Sequence, residues 1–397
     1  MTGNHAPVEV GFFVTKDLGP ATKALGVNGL ATGNGTTQAQ AAVALLNSHG
    51  GLAGHRVMPV IFEYDVTGNA NSQYQSACSK WFDDHKVRAV VSVLLLPTLR
   101  ECAAKKGVPF VTSGNRTTSA AEINRYPLTA LPPQISLERL VPPWITSLST
   151  QSYFGTGAKI GLIYNEDLDY AGVPKLVEQA LKDNGLSLAD QRSLPGVDDT
   201  SRVTAASSAG QNAVLKFKAE GINRVVVVDK SGQALAYFGL AAANQGYYPT
   251  YGISSLELPG ILRTVLTAKQ LAGARGIGWS PGVDVPVGAQ PALGPNNAAC
   301  LKAMRDAGED MTSASTRFSA LSTCDGTLLL AAAWTDQSLA PSTFLSGLHA
   351  LGQRYSPVLT FSQDFSHHVD GAASFRVFAY GAGCDCFAYS GPPQAAS

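Results

Sequence analysis

The sequence predicts an α/β protein made of two doubly wound domains, and three observations carry that expectation. Residues 8–65 read as a complete β-loop-α-turn-β unit, the building block of a parallel sheet. The same alternation of apolar run and helical period recurs over 69–118 and again over 159–253. At 397 residues, 45% of them apolar, the chain is too long for one ordinary core and rich enough for two.

The first unit opens with the apolar run Val8-Glu9-Val10-Gly11-Phe12-Phe13-Val14 and breaks at a polar turn over 15–20. A Gly- and Thr-rich loop, 26–35, leads into a helix over 36–48 with Ala39, Val43 and Leu46 at three- and four-residue spacing. Gly50-Gly51 stops that helix, because a left-handed cap favours glycine, and 56–64 is the returning strand. A helix over 69–86 places Tyr74, Ala77, Cys78, Trp81 and Phe82 on one face. Strands over 87–95 and 107–112 flank a short helix at 99–106.

Two proline pairs then change the composition. Pro132-Pro133 and Pro142-Pro143 are expected outside helices and central strands, so a crossover between domains is placed at 131–135. A second alternation starts with a strand at 159–164 and continues with helices over 171–184 and 207–220. The run Arg224-Val225-Val226-Val227-Val228 is continuously apolar, as a strand buried on both faces should be. A helix over 233–245 and strands over 250–253 and 273–278 follow. Later helices are expected over 297–307, 324–336 and 342–351, and strands over 358–361 and 374–380. The Pro/Ala/Ser-rich end, 390–397, is expected to be a disordered tail.

Charge narrows the partners. Charged residues are 15% of the chain, and 29 basic residues balance 29 acidic ones, so no nucleic-acid or anionic-membrane footprint is expected. No run of eighteen apolar residues predicts a membrane-spanning helix. The first residues carry no charged-then-apolar leader, so the protein is either cytosolic or lacks an export signal in this sequence. Cys78, Cys102, Cys300, Cys324, Cys384 and Cys386 fall into three pairs along the chain, which favours disulfides and an oxidising compartment. Six thiols still allow 15 full pairings, and sequence selects none. Neither the cysteines nor the seven histidines have metal-ligand spacing, so no metal is expected.

Catalytic signals are missing too. There is no GxSxG elbow, no GxxxxGK[ST] phosphate loop, no HExxH and no GxGxxG between strand and helix, so neither a catalytic residue nor a cofactor is expected. What remains is geometric: in doubly wound sheets, ligands bind beyond the carboxyl ends of the strands. The loops there are 15–25, 94–98, 113–118, 165–170, 229–231 and 254–256, several of them rich in small polar residues suited to orienting a small ligand.

The opening strand with Leu18-Gly19-Pro20, and the phrase Asn47-Ser48-His49-Gly50-Gly51-Leu52-Ala53-Gly54-His55-Arg56-Val57, resemble the type I periplasmic solute-binding proteins of ABC importers, the Leu/Ile/Val-binding type. Gly107-Val108-Pro109-Phe110-Val111, Asp169-Tyr170-Ala171-Gly172 and Asn244-Gln245-Gly246 are similar to the same family, over about 7–380. The resemblance implies two lobes joined by a three-strand hinge that closes on the ligand. Its segments would be 7–132 and 257–356 in lobe 1, 133–256 and 357–390 in lobe 2, and 391–397 as tail. It implies an extracytoplasmic, monomeric protein that delivers a small molecule to importer membrane subunits. By position, the ligand contacts would be Leu25, Leu95, Leu96, Pro97, Ser113, Gly114 and Asn115 in lobe 1, and Tyr170, Asp229, Ser254 and Ser255 in lobe 2.

Two departures bear on the ligand. Where amino-acid binders hold the carboxylate with hydroxyls and N–H groups, this chain has Leu94-Leu95-Leu96-Pro97-Thr98, although Leu94 to Leu96 can equally be read as strand core. Where they hold the ammonium with an acid, it has Ser254-Ser255, with Glu257 slightly beyond. A ligand less polar than an α-amino acid, such as an aromatic acid or another apolar metabolite, is therefore expected. Two other classes stay open: a ligand-sensing domain of a regulatory system, and an enzyme using Glu166, Asp169 or Asp229 as acid or base.

Overall fold

The computed structural model describes residues 5–24, 30–114 and 116–396. They divide into two α/β units. Lobe 1 takes the described residues up to 114, with 121–135 and 291–373; lobe 2 takes those from 116 to 120, with 136–290 and those from 374 on.

Lobe 1 is built on five parallel strands: β1 (His5–Thr15), β2 (His55–Tyr64), β3 (Val90–Ser92), β4 (Phe110–Thr112) and β5 (Thr129–Ala130). Their order is β2-β1-β3-β4-β5, a doubly wound order. Alternation along β1 explains its unbroken apolar run. Phe12 enters one core with Val43, Leu46, Leu330 and Trp334; Phe13, on the other face, enters a second with Tyr64, Tyr74 and Trp81.

The turn motif at 47–57 has a plain physical basis. The Asn47 side chain donates to the Val57 carbonyl at 2.9 Å and accepts from its N–H at 2.8 Å, tying the helix Gly35–Ser48 to the start of β2. Gly51 sits at φ 74°, and a side chain there would lie 2.0 Å from the His55 carbonyl oxygen. Only glycine fits.

Lobe 2 carries seven strands: β6 (Ile160–Asn165), β7 (Leu188–Leu194), β8 (Arg224–Val228), β9 (Thr250–Ser254), β10 (Arg275–Gly278), β11 (Ser374–Gly381) and β12 (Cys386–Ala395). The order is β12-β11-β10-β9-β8-β6-β7, parallel from β10 to β7, with the hairpin β11–β12 added antiparallel at one edge. Its core gathers Ile163, Val225, Val227, Phe217, Leu235, Phe238 and Ile253.

Several expectations differ from the structure. Residues 257–290 belong to lobe 2, not lobe 1, because β10 pairs with β9 and extends that sheet. Residues 357–373 belong to lobe 1, where Leu131 and Gly371 exchange hydrogen bonds with neighbouring backbone and Ala372 N–H reaches Gln134 O. The stretch 358–361 forms no strand, and β7 was not expected. Pro142 and Pro143 lie inside the helix Leu137–Thr150. Its face of Leu137, Leu140, Val141, Trp144, Ile145 and Leu148 is buried, and that burial outweighs the lost backbone bonds. Residues 391–395 are not a loose tail but part of β12, an edge strand on which Pro392 and Pro393 cost no ladder bonds to a further neighbour.

The six cysteines form three disulfides, each between the sequential neighbours: Cys78–Cys102, Cys300–Cys324 and Cys384–Cys386. The first two link helix to helix in lobe 1, Ala70–Ser79 to Pro97–Lys105 and Pro295–Asp306 to Ala314–Ala333. Loops of that length give each roughly 3 kcal/mol by restricting the unfolded chain.

Candidate functional site

Within lobe 1, the loop after β3 is self-contained. Ser92 Oγ donates to the Leu94 carbonyl at 2.6 Å and accepts from the Leu94 N–H at 3.1 Å. Leu95 and Leu96 point into the core beside Trp81 and Phe110, and Pro97 opens the helix Pro97–Lys105. Leu95 and Leu96 are thus core residues of lobe 1, but the stretch is loop rather than strand, since β3 ends at Ser92.

Ser113 and Gly114 follow β4 and are both buried. The Gly114 carbonyl accepts from Gln134 Nε2 at 2.5 Å. A Cβ at Gly114 would lie 1.9 Å from the Val93 carbonyl oxygen, so the backbone of this loop touches the loop after β3. Gly114→Ala should therefore destabilise lobe 1 by about 1–3 kcal/mol, since neither backbone can yield without strain. Thermal denaturation checks this; a melting curve like the wild type's would refute the close approach. Leu25 and Asn115 lie outside the described residues.

Within lobe 2, the structure brings the expected residues into one hydrogen-bonded network at the carboxyl ends of β6, β8, β9 and β10. The Tyr170 hydroxyl faces the carbonyls of Asp229 at 3.3 Å and Thr117 at 3.4 Å, and burial holds its pKa well above the usual phenol value. Asp229 accepts from the Lys230 N–H at 2.5 Å and the Leu235 N–H at 3.2 Å, at the start of the helix Gln233–Asn244. Burial still pushes the Asp229 carboxyl up to about 7.

Glu257 sits at the centre. Its Oε1 accepts from the Asp229 N–H at 3.0 Å, and its Oε2 from the Ser254 N–H at 2.5 Å and Ser254 Oγ at 2.9 Å. Burial, then the neighbouring Asp229 charge, raises its pKa well above the ordinary carboxylate value. Ser255 Oγ donates to Asp284 Oδ2 at 2.8 Å; the same oxygen accepts from the Ser280 N–H at 3.1 Å and the Tyr389 hydroxyl at 2.5 Å. Burial lifts Asp284 to about 7 as well.

Beside this network lies an ionic cluster. Arg116 Nη1 is 3.2 Å and Lys230 Nζ 3.3 Å from Asp198 Oδ1, and Lys230 also pairs with Asp167. Both cations are almost fully buried, the acids about three-quarters. Burial acts to raise the Asp198 pKa, but the Arg116 and Lys230 charges outweigh it and hold it below the carboxylate norm. Three further buried atoms at strand ends meet no partner among the described residues: Thr112 Oγ1 in lobe 1, and Asn165 Nδ2 and Ser280 Oγ in lobe 2. Such groups suit a ligand's oxygen atoms.

Sequence reasoning passed over Arg116, Lys230 and Asp284 as site residues, and set Glu257 aside. A signal for Glu257 was present: Ser254-Ser255-Leu256-Glu257 has the spacing of a capping box, and the structure forms one. Nothing in the local sequence marks Asp284 as the acceptor for Ser255 and Tyr389.

Comparison with known proteins identifies the class to which two such α/β lobes belong. The model of the periplasmic binding protein family matches residues 20–379, and the chain belongs to that family. Among curated proteins, none matches the sequence. Solved structures share the fold at low identity. An ABC transporter substrate-binding protein from Aeropyrum pernix aligns with a TM-score of 0.71 and 15% identity, over 98% of this chain and 96% of that one. A solute-binding protein of an ABC transporter from Rhodopseudomonas palustris, in complex with p-hydroxybenzoic acid, aligns at 0.69 and 13%, over 99% and 98%. An ABC transporter substrate-binding protein from Desulfitobacterium hafniense, in complex with Leu, aligns at 0.61 and 14%, over 97% and 100%. The family consists of binding proteins rather than enzymes and works outside the cytoplasm; among the described residues no helix is long and apolar enough to cross a membrane.

Proposed function

We propose that this chain captures a small aromatic acid between its two lobes by hinge closure, outside the cytoplasm, and hands it to the membrane subunits of an ABC importer. The observation that carries the ligand class is Glu257. It is the acid nearest the place where amino-acid binders of this family hold an ammonium group, yet both of its oxygens are spent on Asp229 and Ser254. Buried, with three donors of its own lobe already on its two oxygens, it is poorly placed to meet an ammonium. Asp229 is likewise bound to backbone N–H groups of its own loop and helix.

The backbone after β3 supports the same reading, since Pro97 has no N–H and the Leu94 N–H is already taken by Ser92. Unpartnered groups at Thr112, Asn165 and Ser280 leave hydrogen bonds for a phenol or carboxylate. The Rhodopseudomonas palustris neighbour holds a ligand of that class.

Thermal shift with 4-hydroxybenzoate, benzoate and leucine tests the proposal. At a hundredfold excess over Kd, a true ligand adds about 2.7 kcal/mol. For a domain of this size that is about 5–10 °C. The aromatic acids should give this shift and leucine none. A shift with leucine alone would overturn the ligand class.

A further inference from the structure

The disulfide Cys384–Cys386 differs from the other two in the exposure of Cys384 and in the shortness of the loop it closes. Cys300–Cys324 is fully buried and closes a long loop between helices, whereas Cys384 is exposed at the tip of the hairpin between β11 and β12. Only Asp385 separates the two cysteines, so the cross-link removes little entropy from the unfolded chain and is no staple for the fold. Asp385 is held at φ 48°, a left-handed conformation that a non-glycine residue adopts at a cost.

The tip is anchored without the disulfide. The Asp385 carboxylate accepts from Arg263 Nη1 at 2.5 Å and from the Tyr380 hydroxyl. The flanking strands pair from Gly381 and Cys386 inward, and Phe378 and Phe387 pack into the lobe 2 core. Opening the S–S bond therefore need not open the hairpin.

We propose that Cys384–Cys386 is a thiol–disulfide exchange site, which reacts with an external thiol or dithiol while the rest of the chain stays folded and oxidised. A thiolate attacks the exposed Cys384 sulfur, a mixed disulfide forms, and the electron pair of the broken S–S bond leaves on Cys386 as a thiolate. A second thiol attacks the outer sulfur of that mixed disulfide and releases Cys384 as its thiolate. Two external thiols are thereby oxidised to a disulfide and the protein pair is reduced by two electrons. Reversal by an oxidised partner restores the ring.

The site stands apart from the ligand loops. Because β11 runs antiparallel to β10, with Ala379 opposite Arg275, the hairpin tip lies toward the amino end of β10, opposite the loops that follow the parallel strands. The inference is thus independent of the proposed ligand.

The test equilibrates the full oxidised chain in glutathione buffers of increasing reducing strength, then blocks free thiols with N-ethylmaleimide and maps labelled peptides by mass spectrometry. Cys384 and Cys386 should label together at a reduced-glutathione level about tenfold or more below that which opens Cys78–Cys102 or Cys300–Cys324, with the far-ultraviolet circular dichroism unchanged. Opening of either other pair first, or of all three together, would overturn the proposal. As a second arm, Cys386→Ser leaves Cys384 as a single thiol, which should take up one glutathione from oxidised glutathione; a Cys384 that stays unmodified also refutes it.

Discussion

Glu257→Ala is expected to cost lobe 2 about 3–5 kcal/mol, because it strands buried donors rather than merely removing a contact. The carboxyl accepts three hydrogen bonds, from the Asp229 N–H, the Ser254 N–H and Ser254 Oγ. Ser254 Oγ can turn elsewhere, but the two backbone donors cannot. Each buried donor left without a partner costs about 1–3 kcal/mol, and the cavity adds to that. Glu257→Gln should fall between wild type and alanine, since one end of its amide still accepts while the other sets N–H groups against donors. Denaturant unfolding followed by fluorescence of the lobe 2 tryptophans, Trp144 and Trp279, reads both variants. A loss below about 1 kcal/mol for the alanine variant would show that Glu257 does not hold the two loops together.

Asp284→Asn is expected to reshape the dependence of stability on pH. Burial raises Asp284, Asp229 and Asp325 each to about 7, above the ordinary carboxylate value of 3.8. Between these two values the folded chain binds more protons than the unfolded one, so stability is full below about pH 4 for these groups and falls as pH rises toward 7. The slope is about 1.4 kcal/mol per pH unit for each group. The opposite sign applies to Asp65 and Asp364, which are lowered to about 2 chiefly by hydrogen bonds from Thr67 and Gln353, respectively. Their contribution is present above pH 4 and is lost as pH falls toward 2.

These groups therefore place the highest melting temperature near pH 4 and lower it as pH rises toward 7. Asparagine keeps the oxygen that accepts from Ser255, Ser280 and Tyr389 and carries no charge to bury. The variant should match wild type near pH 4 and exceed it by about 1 kcal/mol or more at pH 7. Equal destabilisation at both pH values would refute a buried, neutral Asp284.

Much of the fold was legible because its signals are local. The run through Phe12 and Phe13 announces a strand buried on both faces, and each residue duly enters a different core. Asn47 and the glycines after it announce a turn that only their side-chain and backbone chemistry can close. Errors arose where burial overrode local preference. Pro142 and Pro143 sit in a helix whose apolar face is fully covered, and the polar-looking 391–395 gains strand partners from β11. The second lobe boundary was placed too early because nothing local tells which sheet β10 joins.

The candidate site was less legible. Loops at strand ends follow from the alternation of elements, so their positions could be read. What each side chain does there could not. Leu95 and Leu96 lie in a core reached only by packing a helix on the sheet, and Glu257 meets Asp229 across 28 residues of chain.

By itself, then, the sequence determined most element types and the doubly wound plan, which depend on periodicity and turn chemistry within a few residues; the family followed from the resemblance of phrases such as 47–57, and the grouping of cysteines from their spacing. The tertiary structure decided which pairing of the six cysteines forms, and which acids are buried against their own lobe rather than left for a ligand. The reason is physical: a buried donor or charge is satisfied by whatever group the fold brings within about 3 Å, and chain distance does not record that neighbour.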